Sequence, residues 1–281
     1  MAELPAWHAH PDVWAVMLGV MALYLAALRW LGPGHVGRGE AAATPGQIAL
    51  FSAGVATMLI GAEWPLHDVG ERYLYSAHMV QHLLFTLIAP PLLIRGTPDW
   101  MLRVILRPVM PVARVVLKPA FAFLVFNAVL VITHWPTVVE ASIGSEPLHF
   151  TIHVVLVLSG LIMWWPVLSP LAELPRLSYP GQMLYLFLQS ILPTVPASFL
   201  TFGSAPLYHV YETFPRLWGL SALEDMRIAG LIMKLGGGAI LWTVLTIVFF
   251  KWAGAERSGG PNTVEWQSVE REINRVGSRR P

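Results

Sequence analysis

The sequence contains no cysteine, which removes disulfides, thiolate-bound metals and Cys-x-x-Cys redox chemistry together. Charge is nearly as scarce. Asp, Glu, Lys and Arg make up 12% of the 281 residues, about half of the roughly 25% usual in soluble domains. A net charge of +1 argues against a nucleic-acid partner. Residues 1–13 lack the basic cluster that opens a cleaved signal peptide, so none is expected there. No internal repeat is present.

What the chain has in quantity is apolar length. Hydrophobic residues account for 55% of it and the mean hydropathy is +0.58; runs of about 20 apolar residues recur, each enough to cross a bilayer as a helix. The predicted fold is all-α, a polytopic membrane protein whose bundle of seven transmembrane helices fills residues 1–255. A polar cytoplasmic tail follows over residues 256–281. The predicted spans are residues 13–31, 47–62, 73–94, 121–139, 148–168, 182–202 and 228–252.

Basic residues set the expected orientation. Arg29, Arg38, Arg95, Arg103, Arg107, Arg114, Lys118, Arg176, Lys251, Arg257, Arg271, Arg275, Arg279 and Arg280 fall on one side, fourteen in all. Arg72, Arg216 and Arg227 fall on the other, and Lys234 lies inside a span. The N-terminus is therefore expected outside and the C-terminus in the cytoplasm, with the chain in a bacterial inner membrane.

On that topology the histidines form a layer. His78 and His82 are one helical turn apart in the third span and share a face. His149 and His153 repeat the spacing in the fifth, and His134 lies near the outer end of the fourth. With His8, His10, His67 and His209 in outer segments, nine of the ten histidines collect on one side, and only His35 is cytoplasmic. Polar rings are costly in hydrocarbon and turn towards a partner or a site. Histidine pairs on different helices resemble a metal or haem site within a bundle, and imidazole without thiolate suits Zn, Cu, Fe or Ni. Met58, Met79, Met226 and Met233 near the same depth would tilt the choice to copper as soft ligands, or simply fill gaps in the packing. Asp225 has three readings: ligand, acceptor orienting a histidine N–H, or helix N-terminal acid. Lys234 is expensive at midspan and needs a carboxylate or carbonyl partner.

Several segments bear on shape. Pro90 and Pro91 should kink or end the third helix, and Pro193 and Pro196 interrupt the sixth span. Gly236, Gly237 and Gly238 suit close helix approach. Residues 99–118 read equally as an interfacial segment or a plain loop. The aromatic loop 203–224 is read as part of an interfacial belt, with a cap over the outer site as the alternative. Trp266, Val269, Ile273 and Val276 repeat at helical spacing in the tail.

The block Ser76-Ala77-His78-Met79-Val80-Gln81-His82-Leu83-Leu84, running to Ala89-Pro90-Pro91, resembles the signature of the CtaG family of bacterial cytochrome c oxidase assembly factors. His134-Trp135-Pro136 is similar to the family pattern too, as are His149 and His153 leading into Gly160–Pro166, and Asp225 with Ala229–Met233. One departure is Lys234, where an aromatic residue is expected. The resemblance implies a role in maturing a haem–copper oxidase, with cytochrome c oxidase subunits as partners and copper delivery as the leading idea. His78, His82, His134, His149 and His153 would then hold a copper ion and pass it on by ligand exchange, without catalytic turnover. A haem-binding electron carrier and a metal transporter with Lys234 on its path are the alternatives. The oligomeric state, a homodimer included, stays open at this point.

Overall fold

The computed structural model describes residues 4–257, and the tail positions Trp266, Val269, Ile273 and Val276 lie outside the described residues. Among the described residues the chain is helical throughout, without a strand. In chain order the helices are α1 (Pro11–Ala26), α2 (Pro45–Ala62), α3 (Leu66–Arg72), α4 (Tyr75–Leu83), α5 (Ala89–Gly96), α6 (Asp99–Leu106) and α7 (Met110–Val116). They continue as α8 (Pro119–Thr133), α9 (Pro136–Ile143), α10 (Glu146–Leu168), α11 (Tyr179–Ile191), α12 (Thr194–Phe202), α13 (Ala222–Leu231) and α14 (Gly237–Arg257).

Several of these join into longer rods. Six stretches are long and apolar enough to cross a membrane, namely residues 11–34, 45–72, 75–96, 146–168, 179–202 and 222–257. A seventh crossing results if residues 99–133 are one bent span, in which α6–α7 meets α8 at 89°. The exposed side chains on these rods include Leu18, Leu23, Phe202 and Phe250, apolar groups that suit lipid rather than water. The protein is thus a multi-pass membrane protein.

The expected fourth span, residues 121–139, is corrected. Its helix stops at Thr133, His134 follows, and Pro136 opens the separate helix α9. A residue preceding proline is disfavoured in the α conformation, so Trp135 sits in an extended one and the rod breaks there. Residues 99–118 fold as two short helices across the end of α8. They bury Trp100, Met101 and Leu102 and expose Val104, Ile105 and Val112, which favours the interfacial reading over a plain loop.

Pro90 and Pro91 do not end the third span. A wide π-type turn, Leu84–Ile88, absorbs them, and α5 carries the rod on. Pro90 has no N–H to give the carbonyl of Thr86 four residues back; the Trp164 indole N–H of α10 donates to that oxygen instead at 3.2 Å. The α11–α12 break is answered in the same way. Lys234, in a second wide turn (Ile232–Gly236), donates its Nζ to the Ser190 carbonyl at 3.3 Å and to the Thr194 hydroxyl. A cation is thereby placed at the C-terminal end of α11, where the helix dipole favours one. Of the three adjacent glycines, Gly236 and Gly237 lie against Leu83, whereas Gly238 faces open space.

A polar ladder crosses the middle of the bundle. Asn127 donates to the Gln189 side-chain oxygen at 2.8 Å, Gln189 donates to the Tyr185 hydroxyl at 3.0 Å, and Tyr185 donates to the Met163 carbonyl at 2.9 Å. It ties α8, α11 and α10 to one another. Buried side-chain hydrogen bonds of this kind favour one arrangement of the helices around them, although the Asn127 Oδ1 has no partner here.

Candidate metal centre

The site is built on the start of α4. Leu74, in the cap position, offers no side-chain acceptor to the first backbone N–H groups of that helix. The carboxylate of Asp225, reaching across from α13, supplies it: Oδ2 accepts from Tyr75 N–H at 2.6 Å and Oδ1 from Ser76 N–H at 3.1 Å. Asp225 is 1% exposed. Its own helix is capped separately by Ser221 and Glu224, whose side chains and backbone N–H groups bond reciprocally. Asp225 does lie in the first turn of α13, as the helix-N-terminal reading has it, and in addition it caps a neighbouring helix, the one that carries His78 and His82. Gly70 makes the close approach of α3 to α4 feasible, since a Cβ there would stand 2.9 Å from the backbone nitrogen of His78.

From that anchored start, His78 and His82 project along one face with ring centroids 4.2 Å apart. His149 and His153 do the same from the first turns of α10, at 4.3 Å. The two pairs face each other: His78 lies 5.5 Å from His149 and 5.9 Å from His153, and His82 lies 5.7 Å from His153. His134, at the break after α8, closes the far end 5.4 Å from His82. All five sequence-predicted histidines thus meet in one cluster.

The chemistry of the cluster fits a metal ion. Among the described residues, the ligand nitrogens of His78, His149 and His153 all lie within 4.8 Å of one another. Side-chain rotation would bring them to the about 3–4 Å that nitrogens sharing one ion require. Buried ring nitrogens normally have a hydrogen-bond partner. Here Nδ1 of His78, both nitrogens of His82 and of His149, and Nε2 of His134 and of His153 have none. His134 is held through Nδ1, which lies 2.8 Å from the Leu130 carbonyl, so its proton belongs there and Nε2 keeps a lone pair for a ligand role.

The methionines are found in apolar packing. Met79, Met226 and Met233 belong to a buried apolar cluster with Tyr75, Tyr208 and Tyr211, and the Met226 sulfur accepts from Leu207 N–H at 3.2 Å. Met58 lines a cavity of about 550 Å³ beside His149 and His153. Sequence reading missed His67 and Gln81. His67, on α3, stands 5.6 Å from His149 and 6.2 Å from His153, and Gln81 Nε2 approaches its Nδ1 to 3.1 Å. The sequence signal was there in His67-x-x-x-Glu71, a one-turn pair in which the groups lie 3.7 Å apart.

The aromatic loop is also corrected from belt to cap in its central part. Tyr208 and Tyr211 are each 1% exposed. Tyr208 donates to the carbonyl of His134 at 2.8 Å and Tyr211 to the carbonyl of Gly70 at 2.9 Å. Trp218 alone keeps the belt character, at 61% exposure. Burial pushes the Tyr208 phenol up to about 12, against about 10 for a free tyrosine. The folded chain therefore keeps a proton that the unfolded chain surrenders, so this contribution to stability is intact below pH ~10 and fades as pH rises towards ~12. A phenolate absorbance titration should count one late-titrating phenol fewer in Tyr208→Phe than in the wild type.

The chain matches no curated protein and no solved structure. The family described as cytochrome c oxidase caa3 assembly factor (Caa3_CtaG) matches it over residues 22–255, which takes in α4, α8, α10 and α13 and with them every member of the cluster. The chain belongs to this family of oxidase assembly factors.

Proposed function

We propose that the protein binds copper in the histidine cluster, on the extracytoplasmic side of a bacterial inner membrane, and passes it to a cytochrome c oxidase subunit during assembly. The observation that carries this reading is the convergence of His78, His149 and His153, from two helices, to within 4.8 Å. Copper is cargo here rather than a resident cofactor. His82 and His134, directly beyond the trio, offer the next nitrogens, so transfer proceeds by stepwise exchange in which each incoming imidazole replaces an outgoing one. Neutral imidazoles suit copper among the first-row ions, and the family's assembly role supplies the recipient. The strong bias of basic residues to the opposite side supports the placement.

The geometry favours copper over haem. Haem needs two axial nitrogens, whereas three imidazole nitrogens within 4.8 Å of one another suit a single ion. The transporter reading places Lys234 on a path at the broken sixth span; there Lys234 donates to the Ser190 carbonyl and the Thr194 hydroxyl. Copper analysis of purified protein tests the proposal: His78→Ala/His82→Ala should lose about one copper ion per chain relative to wild type. Full copper retention in that variant, or a Soret band surviving purification of the wild type, would overturn it.

A further inference from the structure

A second cluster of ligand groups stands at the mouth of the 550 Å³ cavity. His8 and His10 are two residues apart in the non-helical segment before α1, a spacing that turns both side chains to one side of an extended chain. Asp68 rises to meet them from the first turn of α3. The ligand atoms of the three lie within 4.8 Å of one another, and Nε2 of His10 is 3.1 Å from Oδ2 of Asp68. The segment is held there by contacts that need no ion. Trp64 donates to the carbonyl of Pro5 at 3.0 Å, and Trp14 donates to Glu63 at 2.7 Å.

This cluster differs chemically from the buried one. His8 is exposed while Asp68 is buried, so the group opens to its surroundings on one side only. Two imidazoles with one carboxylate form a ligand set for first-row dications, and Cu²⁺ binds such sets most tightly. The carboxylate offsets part of the ion's charge, and the open side leaves a coordination position for a carrier or water. The file of rings also continues inward. His10 and His67 are 5.0 Å apart, and His67 in turn reaches His149 at 5.6 Å along the cavity wall.

We propose that His8, His10 and Asp68 form a second metal site, which takes a first-row transition-metal dication from outside the bundle, and that His67 relays the ion from it to the buried histidines. The relay rests on the reading that the buried cluster holds copper; the second site does not. Were the His10–Asp68 contact only a tie for the N-terminal segment, metal would be indifferent to it.

The experiment uses tag-free, full-length protein in detergent with Cu²⁺ as the probe, reading stoichiometry and the electron paramagnetic resonance spectrum. Wild type should bind about two ions per chain, and His8→Ala/His10→Ala and Asp68→Asn about one, losing the component with mixed nitrogen and oxygen ligation. Asp68→Asn still hydrogen-bonds His10, so its loss of copper is not a folding defect. His78→Ala/His149→Ala should also bind about one ion and keep the mixed component. Wild-type stoichiometry and spectrum in both outer variants would overturn the second site. Loss of an ion from the outer variants with none lost from His78→Ala/His149→Ala would support the second site and overturn the reading of the buried cluster. With one equivalent of Cu²⁺, His67→Ala should slow the appearance of the buried, all-nitrogen component by at least about tenfold, a barrier increase of ~1.4 kcal/mol; an unchanged rate would overturn the relay.

Discussion

Replacing Asp225 by alanine should destabilise the protein by about 2–4 kcal/mol and lower its copper capacity in the same step. The carboxylate accepts the first two backbone N–H groups of α4 at 2.6 and 3.1 Å from a position 1% exposed. Alanine leaves both donors buried without an acceptor, and it removes the negative charge that the helix N-terminus favours. An asparagine side chain would keep one acceptor oxygen, so Asp225→Asn should fall between wild type and Asp225→Ala. Thermal unfolding in detergent, with copper analysis of the same samples, gives the ranking. An Asp225→Ala protein as stable as wild type would show that α4 does not depend on this cap.

The second large effect is expected at Gly160. A Cβ there would stand 2.7 Å from the carbonyl oxygen of Thr86, 2.8 Å from Cγ of Pro90 and 3.0 Å from Cα of Thr86. Two of those atoms are backbone, which has no rotamer to yield. Gly160→Ala must therefore push α10 off the Leu84–Ile88 turn, stretching the Trp164 bond to Thr86. Overpacking of this kind costs about 1–3 kcal/mol. Gly238→Ala is the matched control, because nothing lies within 4 Å of its Cβ position; there alanine should be neutral or stabilise by up to ~1 kcal/mol through helix propensity. Equal melting points for the two variants would contradict the tight packing of α10 on that turn.

The parts of the site legible in the sequence are those whose signal is local. Histidines four apart in an apolar run announce a shared face and a need for partners, and that places His78, His82, His149 and His153 without a fold. The Asp225 cap is not legible in this way, since its partners, Tyr75 and Ser76, lie 150 and 149 residues away in the chain. The same holds for Lys234, whose acceptors become available only because a proline break exposes the end of α11. The break after His134 is local and still escapes a reading by hydropathy: Trp135-Pro136 carries it, but the continuing apolar character hides it. Tyr208 and Tyr211 read as interfacial because aromatic residues in a membrane-protein loop usually sit there; only their hydrogen bonds to His134 and Gly70 separate a cap from a belt.

The wide turn at Leu84–Ile88 sets the angular phase of the whole third rod. One residue more than a regular helical turn rotates everything downstream by about 100°. Pro90, which an unbroken helix would set about 80° round from His82, is thereby brought to within about 20° of its direction, and it packs beside Gly160 of α10. Shortening that turn by a single residue would misalign either the histidines or the α2 and α10 contacts below them, so the length of this five-residue stretch is as much a determinant of the centre as the ligands themselves.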